Sequence, residues 1–191
     1  LSNWLHANLK VGDELVVHGP VGNFNSIDFP AEKVLFLSGG VGITPLMSMT
    51  RWLFDTNAAV DVEFIHSARA PRDVIYHREL VHMFSRIPEF KLHIICENKE
   101  DIGEAWAGYR GYLTQPLFEL IVPDFMEREI FCCGPTPYMN AIKNILRANN
   151  FNMDHYHEES FGATPVEVRE DVLELAEQAE VDAENVDTSD L

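Results

Sequence analysis

The sequence predicts an α/β fold: a doubly wound parallel sheet of five or six strands, with helices packed on both of its faces. Short apolar runs such as Val34–Leu37 alternate along the chain with amphipathic segments of helical period, and this alternation is typical of parallel sheets. Two of the apolar runs end in glycine-containing turns, at Gly39–Gly42 and Cys133–Pro135. Sheets of this kind bind ligands at the carboxyl ends of their strands, where the strand order switches direction.

The elements follow from the hydrophobic period and the turn residues, taken in chain order. Ser2–Leu9 predicts a short helix and Glu14–His18 a strand, and a turn at Gly19–Gly22 separates them from the main sheet. Beyond that turn, the predicted strands and helices alternate. They are strand Val34–Leu37, helix Leu46–Phe54, strand Val60–Ile65, helix Ile75–Ser85, strand Lys91–Cys96, helix Gln115–Ile121, strand Glu129–Cys133, helix Pro137–Asn149 and strand His155–His157.

Length, composition and charge exclude several classes of protein. A chain of 191 residues, 46% of them hydrophobic, can bury one good core. The net charge of −17 argues against a nucleic-acid partner, because phosphate backbones require a basic surface. No apolar run is long enough to span a membrane, so we expect no membrane partner.

The cysteines indicate a reducing compartment. Cys96, Cys132 and Cys133 are odd in number and two of them are adjacent, which does not predict a disulfide framework. We therefore expect the protein in the cytoplasm. The sequence contains neither a CxxC pair nor an HExxH motif, so it predicts no metal ligands.

The first glycine turn has the chemistry of a phosphate-binding site. Gly39, Gly40 and Gly42 follow a buried strand directly, and Thr44 and Pro45 precede the next helix. Thr44 suits the N-cap of that helix and Pro45 its first position. Glycines leave room for a ligand to approach the backbone, and a helix N-terminus favours an anion. We therefore predict a nucleotide phosphate here, although an ordinary tight strand-to-helix turn uses the same residues.

The second glycine turn repeats this pattern. Gly134 and Pro135 follow an apolar strand and precede a helix, and Cys133 ends the strand. Two such turns in one sheet are able to grip one extended ligand, with Cys133 at the edge of the cleft. The alternative is that Cys133 is a small buried apolar residue, as most free cysteines are.

A third candidate contact lies after the strand Val60–Ile65. Ser67 and Arg69 come next, and Arg69 is placed to meet a phosphate or a ribose; a solvated surface arginine is the alternative. Cations typical of NADP sites and an acid typical of NAD sites are both present, as Arg72 and Asp73. The choice between NADH and NADPH stays open, and the lack of a clear cation cluster favours NADH.

A fourth candidate follows the last strand. Glu159 stands two positions before Phe161, and a carboxylate beside an aromatic ring suits the lining of a cofactor site. A chain end with an apolar plug explains the same residues.

Taken together, these motifs resemble the ferredoxin–NADP reductase-like flavoprotein family, over about residues 1–162. Val34–Pro45 is similar to the family's GGxGxTP loop, which binds the dinucleotide pyrophosphate. Cys133, Gly134 and Pro135, followed by Met139, are similar to its CGP…M element, which flanks the nicotinamide. Glu159 and Phe161 resemble the family's carboxylate and flavin-facing aromatic residue near the chain end. Ser2 resembles the end of its GxxS flavin-phosphate motif.

The resemblance implies three parts. Residues 1–30 would be the end of an FAD-binding barrel, 31–163 the NAD(P)H-binding domain, and 164–191 an acidic linker toward a plant-type 2Fe–2S ferredoxin domain. The family's RxYS flavin-binding motif does not occur in these residues. The chain therefore looks like one module of a longer reductase, of the type that serves Rieske oxygenases or hybrid-cluster protein. By itself it is expected to bind nucleotide weakly, to hold no FAD and to catalyse nothing.

The resemblance also implies an activity. A flavin-dependent oxidoreductase of this type passes a hydride from NADH or NADPH to FAD, and then single electrons to an iron–sulfur protein or domain. Cys133 and Glu159 would be its catalytic residues, with Cys133 against the nicotinamide and Glu159 stabilising charge or relaying a proton. Two other classes stay open: a non-catalytic nucleotide-binding regulatory subunit, and a doubly wound reductase in which Cys133 is the nucleophile.

Overall fold

A computed structural model describes residues 2–17, 19, 21–97 and 106–161. The predicted acidic linker, 164–191, lies outside them. The described part contains helix α1 (Ser2–Asn8), strand β1 (Lys33–Gly39), helix α2 (Ile43–Asp55), strand β2 (Asp61–Ala68), helix α3 (His77–Arg86), strand β3 (Phe90–Cys96), strand β4 (Tyr109–Arg110), helix α4 (Gln115–Ile121), strand β5 (Glu129–Cys133), helix α5 (Thr136–Ala148) and strand β6 (Tyr156–Glu159). Among these helices, none has the length and apolar character needed to cross a membrane.

The sheet is parallel throughout, with its strands in the spatial order β4-β3-β2-β1-β5-β6. The chain moves outward from β1 through β2 and β3 to β4, and then returns to the other side of β1 with β5 and β6. This reversal is what makes a sheet doubly wound, so the predicted fold class is confirmed. The switch in strand order lies between β1 and β5, where ligand crevices form.

Alternate residues of β1 face two separate cores. Leu35 and Leu37 pack with residues of α4 and α5, whereas Val34 and Phe36 pack with residues of α2 and α3. Helices therefore cover both faces, as predicted. A strand that is covered on both faces is apolar at successive positions, which explains the uninterrupted run Val34–Leu37.

Two elements differ from the sequence prediction for the same physical reason. The strand predicted at Glu14–His18 is wrong for Glu14–Val17, which has no strand neighbour and is exposed, while His18 lies outside the described residues. The short strand β4 is not predicted, because two residues between Gly108 and Gly111 show no periodic pattern. A strand exists only where a neighbour accepts and donates its backbone hydrogen bonds, and residue period does not reveal that neighbour.

The segment that precedes β1 packs onto the sheet beside β5 and β6. The rings of Phe24 and Phe29 lie against that of Phe131, with centroids 5.9 and 6.3 Å away. Phe29 also stacks on His157 at 3.7 Å, and the His157 imidazole is hydrogen-bonded to the Glu129 carboxylate at 2.5 Å. Part of 1–30 thus packs against the parallel sheet, and the boundary at residue 30 stays a prediction.

Arg128 ties the amino ends of the central strands together. Its side chain is only 1% exposed, immediately before β5. The guanidinium donates to the backbone carbonyls of Val34 and Asp61 at 3.2 and 3.1 Å. It also donates to the carboxylates of Asp61 and Asp124 at 2.8 to 3.0 Å. A buried cation with this many partners holds β1, β2 and β5 in one register.

Replacing Arg128 with Met should reduce the free energy of unfolding by about 3–5 kcal/mol, because two carboxylates and two carbonyls lose their shared donor. Urea unfolding followed by far-UV circular dichroism measures this loss. Lys33→Met is the matched control. Lys33 bonds Asp124 and Glu127 with a side chain that is 36% exposed, so its loss should leave stability almost unchanged. Equal, small losses in both variants would contradict the proposed role of Arg128.

Candidate functional site

The predicted site residues converge on the carboxyl edge of the sheet. Strands β1, β2, β5 and β6 end there at Gly39, Ala68, Cys133 and Glu159. Because β1 pairs with both β2 and β5, the first glycine turn lies between the second turn and the end of β2. The crevice expected at the switch point is therefore bounded by the first glycine turn, the second glycine turn and the end of β2.

The first turn enters its helix earlier than predicted. Gly40–Gly42 forms a short 3₁₀ turn, and α2 begins at Ile43 with Gly42 as its N-cap. Thr44 and Pro45 thus lie inside the first turn of α2, so their predicted N-cap and first positions are wrong. The physical reason is that the Ile43 N–H already donates to carbonyls of the 3₁₀ turn. The Thr44 hydroxyl donates to the Val41 carbonyl at 3.1 Å instead of capping the helix.

The second glycine turn is shorter than the first. Helix α5 begins at Thr136 with Pro135 at the N-cap, so only Gly134 and Pro135 separate it from β5. Neither α2 nor α5 carries an acidic residue in its first turn. The positive end of each helix dipole is therefore available to an anion.

The glycines of the two turns do three different things. A Cβ on Gly42 would overlap the Cys133 carbonyl group, so the two turns touch through their backbones. A Cβ on Gly39 or Gly134 would come within 3.0 to 3.2 Å of the Tyr138 ring. Gly40 has a left-handed φ of +53° and open space where a side chain would be. The interpretation that all these glycines make room for a ligand is therefore corrected: only Gly40 leaves open space, and the others allow close packing.

A polar row crosses the sheet at this edge. Ser38 is the register partner of both His66 and Cys133, and Cys133 is that of Glu159, so the four side chains share one face. The Ser38 hydroxyl lies 2.7 Å from His66 Nδ1. Sequence reasoning missed Ser38 as a site neighbour. It placed His66 after the strand, because it ended β2 at Ile65 instead of Ala68. The serine directly before the glycine turn was the available signal.

Cys133 lies at the predicted place, but its thiol is not accessible. The residue is fully buried, and burial, followed by the nearby Glu159 carboxylate, raises the pKa of Cys133 to about 11. The thiol is therefore protonated at neutral pH, and a protonated buried thiol is a poor nucleophile. This geometry favours the small-residue interpretation of Cys133 over a Cys-dependent reductase.

Ser67 lies just before the end of β2, and Arg69 lies just after it. Ser67 is still within the strand, opposite Gly39, and its hydroxyl is buried. Arg69 is exposed just beyond the strand. Arg72 follows in a 3₁₀ turn at Pro71–Asp73 and forms a 3.9 Å ion pair with Asp73.

The other predicted site residues lie at separate places around the two glycine turns and beyond them. Met139 is 3% exposed and packs in the core shared with α4, so it supports the second turn from beneath. Glu159 is half-buried at the end of β6, and Phe161 is 58% exposed beyond it. Ser2 begins α1, outside the sheet. These assignments of cofactor contacts stay predictions.

Residues 36–144, which include both glycine turns, match the protein family described as oxidoreductase NAD-binding domain. The chain belongs to this family. The predicted fold and the predicted family resemblance are thereby confirmed.

The chain is similar to parts of longer proteins. It is 71% identical to the glycine betaine monooxygenase reductase subunit of Chromohalobacter salexigens, over all of this chain and 52% of that protein. It is 40% identical to the stachydrine N-demethylase reductase subunit Stc4 of Rhizobium meliloti, over 90% of this chain and 49% of that protein. The chain thus spans about half the length of the curated relatives it matches.

A solved structure has the same fold. It is the flavohem-like FAD/NAD binding domain of nitric oxide dioxygenase from Vibrio cholerae O1 biovar El Tor, with a TM-score of 0.70 and 25% identity. The match covers 84% of this chain and 64% of that structure.

In the native domain, all three thiols should resist Ellman's reagent at pH 8, because each cysteine is buried and burial raises the pKa of Cys133 to about 11. Unfolding in urea should expose three reactive thiols, and absorbance at 412 nm counts them. A fast-reacting thiol in the native protein that disappears in Cys133→Ala would instead support a nucleophilic Cys133.

Acid should destabilise the domain through His66. Burial, and next the nearby His77, lowers the pKa of His66 from 6.5 to about 4, so between these values the unfolded state binds a proton that the folded state does not. The free energy of unfolding should therefore fall as the pH drops from 6.5 to 4, by up to about 3 kcal/mol. Urea titrations across this range measure the slope.

His66→Gln should flatten that slope, while His82→Gln, at an exposed position of α3, should leave it unchanged. If both variants retain the wild-type slope, His66 is not its source.

Proposed function

We propose that the chain is the NAD(P)H-binding module of a flavin-dependent reductase that supplies electrons to an oxygenase through an iron–sulfur centre. Two relatives support the supply of electrons to an oxygenase, since they are reductase subunits of a monooxygenase and of a demethylase. The site geometry supports NAD(P)H binding.

The observation that carries the proposal is the contact between the two glycine turns. Because Gly42 lies directly against the Cys133 carbonyl, the N-termini of α2 and α5 open side by side at the switch point of the sheet. One extended molecule with an anionic centre and a flat polar end fits this arrangement. A nicotinamide dinucleotide has both features.

The residues present fit such a coenzyme. The pyrophosphate would lie over Gly40, where space is open, and against the first turn of α2 with Thr44 and Pro45. The nicotinamide would lie beside Gly134 and Pro135 at the start of α5. When bound, the coenzyme supplies a hydride and the flavin splits its two electrons into single-electron steps.

The side chains at this edge orient the coenzyme. Cys133 contributes a small neutral thiol to the wall of the site. Glu159, at the neighbouring register position, is the one carboxylate in the polar row and is placed to stabilise charge or hold a proton. Phe161 is exposed and suited to cover a flavin ring held by another part of the reductase.

Ser67 and Arg69 extend the proposed site toward the ribose of the adenosine half. We favour NADH because Asp73 pairs with Arg72, which reduces the positive charge offered to a 2′-phosphate. We place the reductase in the cytoplasm, since Cys96, Cys132 and Cys133 are all free thiols and a reducing compartment keeps them so.

Titration calorimetry of the chain with NADH and with NADPH tests the proposal. Gly40→Asp should weaken binding at least about tenfold, because it places a negative charge where the pyrophosphate would lie. Gly40→Asn is the matched control: asparagine has the same shape, tolerates a left-handed φ and adds no charge, so binding should change little.

Two results would count against the proposal. One is that the wild-type chain binds neither coenzyme. The other is that the Asp and Asn variants bind equally well, which would place the pyrophosphate away from Gly40.

A further inference from the structure

One aromatic ring packs against both glycine turns, at the ends of β1 and β5. Tyr138 lies in the first turns of α5, and its ring approaches both Gly39 of the first turn and Gly134 of the second. A Cβ on either glycine would come within 3.1 Å of that ring. Gly134 and Gly39 also approach each other, with backbone atoms of Gly39 3.1 Å from the position of a Cβ on Gly134. The ring therefore spans both turns at their closest point.

The hydroxyl of the same ring is directed toward a third strand. The Tyr138 and Ser67 hydroxyls are both buried, and neither completes a hydrogen bond within the described residues. The two hydroxyls are nevertheless neighbours, since Ser67 is one of the groups that influence the pKa of the Tyr138 phenol. Burial raises the pKa of Tyr138, so the phenol is neutral. Tyr138 thus reaches from β5 across β1 to the end of β2.

The distance between the turns determines whether one molecule is able to contact both. The Gly42 contact sets this distance on one face of the sheet, and the Tyr138 ring sets it on the other. A rigid ring has few conformations, whereas an aliphatic side chain would let the turns move relative to each other.

We propose that Tyr138 is a positioning residue that fixes the spacing of the two glycine turns, so that one dinucleotide binds to both at once. This inference rests on the proposed function, and it concerns a residue that acts through the turns without touching the coenzyme. The Tyr138 ring, and not its hydroxyl, fixes the spacing of the turns.

A pair of ligands separates spacing from general stability. NADH contacts both turns, whereas ADP-ribose lacks the nicotinamide and contacts only the first. Tyr138→Leu should weaken NADH about tenfold and ADP-ribose less than about twofold, because only the two-point ligand depends on the spacing. Tyr138→Phe should keep both affinities within about twofold, since it retains the ring and removes only an unpartnered hydroxyl.

Phe151→Leu is the matched control. Phe151 packs in the same core but beyond the opposite end of α5. Its loss should lower the melting temperature and leave the ratio of NADH to ADP-ribose affinity unchanged. Titration calorimetry and thermal melts of the full chain provide both readouts. If Tyr138→Leu does not fold, Tyr138→Met retains the volume without the rigid ring, and its affinity ratio decides.

Three outcomes overturn the inference: equal weakening of both ligands in the Leu or Met variant, no weakening of either, or a Phe variant as weak toward NADH as the Leu variant. A wild-type chain that binds neither NADH nor ADP-ribose would overturn the proposed function itself. A wild-type chain that binds both, combined with any of the three outcomes above, overturns the role of Tyr138 alone.

Discussion

The contact between Gly42 and the Cys133 carbonyl is the constraint on which the rest of the site depends. The backbones of the two turns meet so closely there that no side chain fits at position 42. This contact joins the ends of β1 and β5, which are far apart in the sequence and adjacent in the sheet. It also places the N-termini of α2 and α5 together, and a pair of adjacent helix N-termini makes a stronger anion site than either alone.

The local field at this edge differs from the charge of the whole chain. The net charge is −17, which repels anions at long range, yet the first turns of α2 and α5 contain no acidic residue. Salt screens the long-range repulsion within about 10 Å at 0.1 M ionic strength, whereas backbone N–H groups act at contact distance. Within the polar row, the shifted pKa values of His66 and Cys133 keep both neutral at pH 7, so the Glu159 carboxylate is the one acidic group that the row presents.

The opposite edge of the sheet supplies the rigidity that the site requires. Arg128 links the amino ends of β1 and β2 to the start of β5, and two cores cover both faces between the edges. A turn at the carboxyl end inherits its position from the strand before it. The buried ion network at one edge therefore contributes to the geometry of the glycine turns at the other.

Local residue patterns were sufficient for most of the fold. Helix Gln115–Ile121 and strand Glu129–Cys133 have their predicted bounds, because period and turn residues are properties of neighbouring positions. Thr44 shows the limit, since its side chain suits an N-cap but a 3₁₀ turn had already started the helix. Tyr138 shows it more strongly: nothing in its immediate neighbours indicates that its ring lies over Gly39.

The sequence by itself determined the parallel sheet, the two glycine turns and the family, because each is encoded in short runs of adjacent residues. Only the tertiary structure decided which glycine is open and which are packed, that the Cys133 thiol is buried, and that Ser38 and His66 join the site. These properties arise from contacts between segments distant in the chain, and no local period or motif records which distant backbone a residue will meet.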